Sequence, residues 1–229
     1  MPKERTGTGP NRRRVLAGFA GGAGALLLGS ALGPVGFGAA PRPAAAALTG
    51  TDHADIQRVE RYLNDVDTLK ARFRQIAEDG GIAQGTIYLR RPGRMRVEYD
   101  PPVPVLLVAD GMLVSYYDSE LDQLTQVPLR STPAWFLLRD PIDLGGDIPV
   151  TEVERAPGAL RVSMYQTDEP DAGSVELVFA EDPLQLRQWT ITDAQGKQGL
   201  IRLESVSYGA SMANELFATP RTRRQQGTR

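Results

Sequence analysis

The stretch GTIYLRRPGRMRVEYDPP (residues 85–102), continued by VADGMLVSYYD (108–118), QVPL (126–129) and TPAWFLL (132–138), decides the fold. Short runs of β-branched and aromatic residues are separated by Pro92-Gly93, Pro101-Pro102, Asp110-Gly111 and Asp118-Ser119, each a pair that favours a turn. Strands are therefore expected over 86–90, 94–99, 105–109, 113–117 and 124–129. In the second of these Met95, Val97 and Tyr99 alternate with Arg94, Arg96 and Glu98, so the sheet has one apolar and one solvated face. Pro133 then opens a helix of about two turns built from Trp135, Phe136, Leu137 and Leu138. So short a helix is not stable alone and must dock on the sheet. Asp140-Pro141 stops it.

Upstream, Asp52 can cap a helix in which Ile56, Val59, Leu63 and Val66 recur at three- and four-residue steps, with Arg58, Glu60, Arg61 and Asp65 on the other side. The period then changes to two: Leu69, Ala71 and Phe73 alternate with Lys70, Arg72 and Arg74, which marks the first strand before a turn at Asp79-Gly80-Gly81. Downstream, strands are expected over 160–165, 175–179, 186–192 and 200–207. Roughly ten strands with two or three short helices predict a mainly β (α+β) domain. Its form is a single curved antiparallel sheet, an open barrel with helices over its mouth. Such a barrel leaves an apolar concave face that the short helix can cover or uncover.

The first 47 residues read differently. Arg12 and Arg13, one intervening residue, then Val15 and Leu16 open a Gly/Ala/Leu-rich run that ends in a Pro/Ala segment with Ala44 to Ala47. These are the parts of a cleaved export signal, in the twin-arginine form or the general secretory one. The apolar run is Gly-rich and broken by Gly33-Pro34, which argues against a retained membrane anchor. The domain is expected over 48–220 and a frayed, Arg/Gln-rich tail over 221–229. Of the 26 Lys+Arg and 28 Asp+Glu, the first 47 residues hold six and one. The remainder carries 20 against 27, a net charge of about −7, which disfavours nucleic acid or an anionic membrane as standing partner. With no cysteine, an exported chain of this kind is held by its core rather than by disulfides.

These residues resemble a known family, the periplasmic outer-membrane lipoprotein carrier proteins of Gram-negative bacteria (LolA). The matching parts are the 85–99 run with Arg91-Pro92, Val108 to Gly111, Tyr116 to Asp118, Gln126 to Leu129, Thr132-Pro133 with its apolar helix, and Phe217 to Pro220. The resemblance implies an incomplete eleven-stranded barrel, a half-barrel with a helical lid over a hydrophobic cavity that receives lipoprotein acyl chains. It implies a periplasmic carrier that works as a monomer. Such a carrier takes acylated lipoproteins from an ATP-driven (ABC) inner-membrane exporter and delivers them to the outer membrane, commonly through a receptor. It places the family's lid-latching arginine at Arg91, which would bond lid backbone when the cavity is empty and let go when cargo enters. The expected cavity wall and lid are Met95, Val97, Tyr99, Trp135, Phe136, Leu138, Val162, Met164, Phe179 and Trp189. Met95 and Val97 stand where better-known members carry large aromatics, and a twin-arginine signal is not general in the family.

Other chemistry finds little support in the residues. The one histidine, His53, starts the first helix and reads as solvated. With no cysteine and a single histidine, a transition-metal site is not expected. Asp140, Asp143 and Asp147 lack the alternating spacing of a calcium loop and read as turn residues. No phosphate-cradling loop is present and no cofactor is expected. A lipid-modifying enzyme would need a nucleophile with a base, which cannot be nominated. The other alternative is a sensing module in which the same half-barrel detects lipid or lipoprotein and regulates a membrane partner.

Overall fold

The computed structural model describes residues 48–146, 148–165, 173–193 and 196–222. The expected export signal therefore lies outside the described residues, as do Asp147 and most of the expected tail.

Helix α1 (Gly50–Asp65) leads into β1 (Thr68–Ala77), and the chain then meanders through β2 (Ile82–Arg90), β3 (Arg94–Tyr99), β4 (Val105–Asp110), β5 (Leu113–Asp118) and β6 (Gln123–Pro128). A 3-10 turn (Leu129–Ser131) and helix α2 (Trp135–Leu138) follow. A second meander runs through β7 (Val150–Ala156), β8 (Ala159–Tyr165), β9 (Gly173–Ala180), β10 (Gln185–Asp193) and β11 (Gln198–Tyr208), before a last 3-10 turn at Asn214–Phe217. All eleven strands form one antiparallel sheet in the order β6-β5-β4-β3-β2-β1-β11-β10-β9-β8-β7. The two meanders are sewn together by β1 and β11, with Phe73 opposite Leu203. Strands β6 and β7 remain edges that do not pair with each other, so the barrel is open.

The direct reading of the residues expected roughly ten strands, and β7 is the one it passed over. Its sequence VTEVERA has only Val150 and Val153 as large apolar residues, because an edge strand is covered on few sides. Helix α2 is one turn rather than two, since Pro133 and Ala134 precede it instead of forming its first turn. Leu129 belongs to the 3-10 turn and not to β6.

Alternation along the strands sends one face inward. From β1 come Leu69, Ala71 and Phe73, from β2 Ile87 and Leu89, from β8 Leu160, Val162 and Met164, and from β9 Val175, Leu177 and Phe179, all in one continuous core. Onto this face α1 lays Ile56, Val59 and Leu63. Burying each such side chain is worth about 1.5–3 kcal/mol. The outer face is not bare. Phe217 is fully buried there beneath the Arg90 guanidinium, which stands 4.9 Å from its ring centre, and Arg90 also donates to the Met212 carbonyl and the Asn214 side chain.

Candidate functional site

The two edges β6 and β7 are joined by residues 129–149, and this connection carries α2 across the open side of the barrel. Two corners of the sheet seat it. At the β2–β3 corner, Gly93 has φ +75°, and a Cβ there would lie 2.8 Å from Gly111 Cα of the β4–β5 corner, so only glycine lets the corners touch. The Gly93 N–H then donates to the Leu138 carbonyl (2.8 Å), and the Leu129 N–H to the Met112 carbonyl (2.8 Å).

Arg91 lies at the β2–β3 corner, immediately after β2, with its side chain only 5 % exposed. Its guanidinium reaches two covers at once. Nε donates to the carbonyl of Arg139, at the end of α2 (3.1 Å), while one terminal nitrogen donates to the Leu63 carbonyl in the last turn of α1. The other terminal nitrogen donates to Asn64 Oδ1 (3.1 Å) and lies 3.5 Å from Asp140 Oδ1. Burial pulls the Arg91 pKa down, and the nearby carboxylates of Asp140 and Asp67 oppose that pull. A planar fork with five N–H donors suits such divided work; a lysine could not span it.

Two residues that sequence reasoning missed extend the clamp. The Asn64 side chain donates to the Ile142 carbonyl (2.9 Å) and accepts the Ile142 N–H (2.9 Å). One helical turn earlier, Glu60 accepts the Leu144 N–H (2.9 Å). Glu60 was expected on the solvated side of α1; its carboxylate instead holds the segment after α2. The i, i+4 spacing of Glu60 and Asn64 is the only signal the sequence carries for this, and their partners lie about eighty residues away.

The ten residues expected as wall and lid fall in one region. Met95, Val97, Tyr99, Val162, Met164, Phe179 and Trp189 are buried on the inner face of the sheet, and Phe136 and Leu138 on the underside of α2. Trp135 is only partly buried: one side packs on the core and its ring lies 4.9 Å from the Arg130 guanidinium. Leu63, Leu89, Arg91, Ile142 and Trp189 line a small pocket of about 30 Å³. Phe136 and Leu138 of α2 and Ile56, Val59 and Leu63 of α1 pack on the concave face with their own side chains. His53 stays exposed in the first turn of α1, its Nδ1 2.7 Å from the Thr49 carbonyl. Asp143 accepts the N–H groups of Gly145 and Gly146, both at 2.9 Å, as a turn residue does.

Residues 64–220 match the family model of the outer membrane lipoprotein carrier protein LolA. The chain belongs to this family. An outer-membrane lipoprotein carrier protein of Pseudomonas syringae pv. syringae is 29% identical over 176 residues, which cover 73% of this chain and 82% of that protein. One from Azotobacter vinelandii is 37% identical over 112 residues, 45% of this chain and 54% of that protein, so the match spans about half of the relative's length. Among solved structures, a LolA superfamily protein from Nitrosomonas europaea covers 71% of this chain and 97% of its own at 9% identity and a TM-score of 0.43. LolA family carriers are periplasmic binding proteins.

Proposed function

We propose that this chain, exported through its first 47 residues to the periplasm, carries acylated lipoproteins from an ABC-type inner-membrane exporter to the outer membrane or a receptor there. Acyl chains take the place that α2 occupies on the concave face. Met95, Val97, Tyr99, Val162, Met164, Phe179 and Trp189 form the wall; Trp135, Phe136 and Leu138 form the lid; Arg91 is the latch. Family membership supports the cargo class, and the observation that carries the mechanism is the single buried guanidinium shared between the ends of α1 and α2.

Two opposing terms set the affinity. Each buried methylene is worth about 0.8 kcal/mol, so an acylated cargo gains a great deal from an apolar enclosure. Loading must displace Phe136 and Leu138 from the same face and break the Arg91 bonds, each worth about 1.5–3 kcal/mol where a charged donor is involved. The difference keeps cargo soluble without trapping it, and a shuttle with no energy source of its own can hand it to an acceptor of moderately greater affinity.

The test is Arg91→Leu. Without the latch term, affinity for a diacylated lipopeptide should rise about tenfold, equivalent to about 1.4 kcal/mol, and transfer to acceptor vesicles should slow by a similar factor. Unchanged or weaker binding would remove Arg91 from the mechanism. Native mass spectra of the protein purified from the periplasm should show co-purifying acylated lipoproteins; free phospholipid alone would count against the cargo assignment.

A further inference from the structure

Besides the Arg91 side chain, four polar residues are buried among the described residues: Asp52, Gln75, Ser115 and Thr132. Three are satisfied. The Asp52 carboxylate accepts from the Thr49 N–H and hydroxyl and from Arg155, the Ser115 hydroxyl accepts from Gln126 Nε2 (3.0 Å), and the Thr132 hydroxyl donates to the Leu129 carbonyl (2.8 Å). Gln75 is different. It is fully buried, its Oε1 accepts the Tyr99 hydroxyl at 2.7 Å, and its Nε2 has no hydrogen-bond partner among the described residues. Turning the amide over does not remove the surplus, because the pair then keeps a free phenol O–H and one free amide N–H.

Its position in the fold makes this more than a local oddity. Gln75 lies on β1, the middle strand of the eleven, and follows Leu69, Ala71 and Phe73 at two-residue steps, so it faces the concave interior. Tyr99 reaches it from β3, across β2. Between them in the register stands Gly85, opposite both Phe73 and Tyr99; a Cβ there would lie 2.6 Å from the Phe73 ring and 2.1 Å from the Glu98 carbonyl oxygen. Glycine therefore opens the lane through which the Tyr99 ring, packed edge-on to Phe73 at 5.3 Å, meets Gln75. A leucine at position 75 would fit the apolar pattern of this face. An amide with an unspent donor is a cost to the closed protein, and buried polar groups left in that state call for a use.

Resting on the carrier reading above, we infer that Gln75, oriented by Tyr99, is a polar subsite on the cavity floor that donates a hydrogen bond to the carbonyl oxygen of an acyl ester. The chemistry of the donor selects the ligand: a hydrocarbon chain offers no acceptor, while each ester-linked chain brings one. The subsite also fixes a direction. Gln75 pairs with Ala83, eight residues before Arg91 along β2, which at a rise of about 3.4 Å per residue puts it about 27 Å from the latch. The carbonyl end of one chain sits near the β1–β2 turn, and its methyl end runs toward α2.

The experiment compares the full mature protein with a Gln75→Leu/Tyr99→Phe double variant. Removing both partners leaves no orphaned polar group, so the empty variant should melt at the same or a higher temperature. Binding is measured by fluorescence displacement with three probes of equal chain length: a dipalmitoylglyceryl-cysteine peptide, its dialkyl-ether analogue and dipalmitoylphosphatidylglycerol. The unmodified protein should favour the ester peptide over the ether peptide about tenfold, and the double variant should bind both equally and as the unmodified protein binds the ether. A loss shared by phosphatidylglycerol assigns the subsite to acyl esters in general; one confined to the peptide assigns it to lipoprotein. Tyr99→Phe alone keeps the amide and should keep the ester preference, which guards against a double variant that does not fold. Equal binding of ester and ether by the unmodified protein overturns the subsite and leaves the carrier intact. No binding of any probe overturns the carrier reading, and the subsite with it.

Discussion

The two helices over the concave face are covers of opposite kind. Helix α1 has sixteen residues and a capping box in which the Asp52 N–H donates to Thr49 Oγ1 (3.2 Å) and the Thr49 N–H to Asp52 Oδ2 (2.7 Å). It is tied to the β7–β11 half of the sheet: Arg155 of β7 pairs with Asp52 (2.8 Å) and Asp55 (2.7 Å), Arg58 with Glu181, and the Tyr62 hydroxyl accepts the Leu186 N–H (3.0 Å). Helix α2 has four residues, no side-chain cap, and rests on the corners of the β1–β6 half. A single turn does not persist on its own, so α2 keeps its shape only while Gly93 and Arg91 hold it. Arg91, Asn64 and Glu60 join the two covers, and so add a second tie between the halves of the sheet that β1 and β11 already hold together. One cover is thereby tied to the sheet along its length, and the other is held at a few points.

The sharpest way to break that contrast is to bury the same charge under each helix. Val59→Asp places a carboxylate at a fully buried position of α1 and should cost more than about 4 kcal/mol, enough to abolish folding or lower the melting temperature drastically. Phe136→Asp under α2 should cost no more than about 2 kcal/mol, because the helix can swing into water and take the charge with it. Urea unfolding followed by tryptophan fluorescence measures both. If the two variants lose stability equally, α2 is as integral as α1 and the contrast fails.

A smaller effect is expected from Arg91→Lys, which keeps the charge and loses the fork. Amide hydrogen exchange over 135–144 should accelerate about tenfold, while the strands of the sheet keep their protection. Acceleration spread evenly over sheet and lid would mean that Arg91 supports the fold as a whole. Asn64→Leu should act in the same segment by about 1–2 kcal/mol. Its effect should add incompletely to that of Arg91→Lys, because the two side chains share a hydrogen bond.

How much of this was legible in the residues follows from where each signal is stored. The inner face was readable because alternation is a local property: Met95, Val97 and Tyr99 announce their side of the sheet within six residues. Pro133 and the run behind it likewise announced a docking helix, although not that it would shrink to one turn. Arg91 stood out through family likeness rather than through anything in its neighbourhood, where Arg90 and Arg94 look equally basic. Asn64 and Glu60 were invisible, since their partners at 142 and 144 are remote in sequence and a polar residue on an amphipathic helix reads first as solvated. Gln75 was invisible for a related reason. At the end of an apolar alternation a glutamine reads as the strand running out, and only the pairing of β1 with β2 and β11 shows that it lies under the middle of the sheet.

The smallest expected effect concerns the acid limit of α1. The Thr49 backbone N–H, then its hydroxyl, then Arg155 hold the Asp52 carboxyl down from its ordinary 3.8 to about 2. A carboxylate whose folded pKa is depressed contributes stability that is fully present above the unfolded value and is lost as pH falls through the folded one. Between about pH 4 and pH 2 the unfolded chain takes up a proton that the folded one refuses, so α1 should loosen in that window. Asp52→Asn keeps a capping oxygen but removes the titration and the charge facing Arg155. Asp100 and Asp110, whose pKa values are also lowered, titrate alike in both proteins and cancel in the difference. Melting temperatures measured from about pH 6 downward should therefore show the unmodified protein ahead by a constant margin that closes toward about pH 2. A margin independent of pH would place the role of Asp52 in its shape as a cap rather than in its charge, and would leave the tie between α1 and β7 to Asp55.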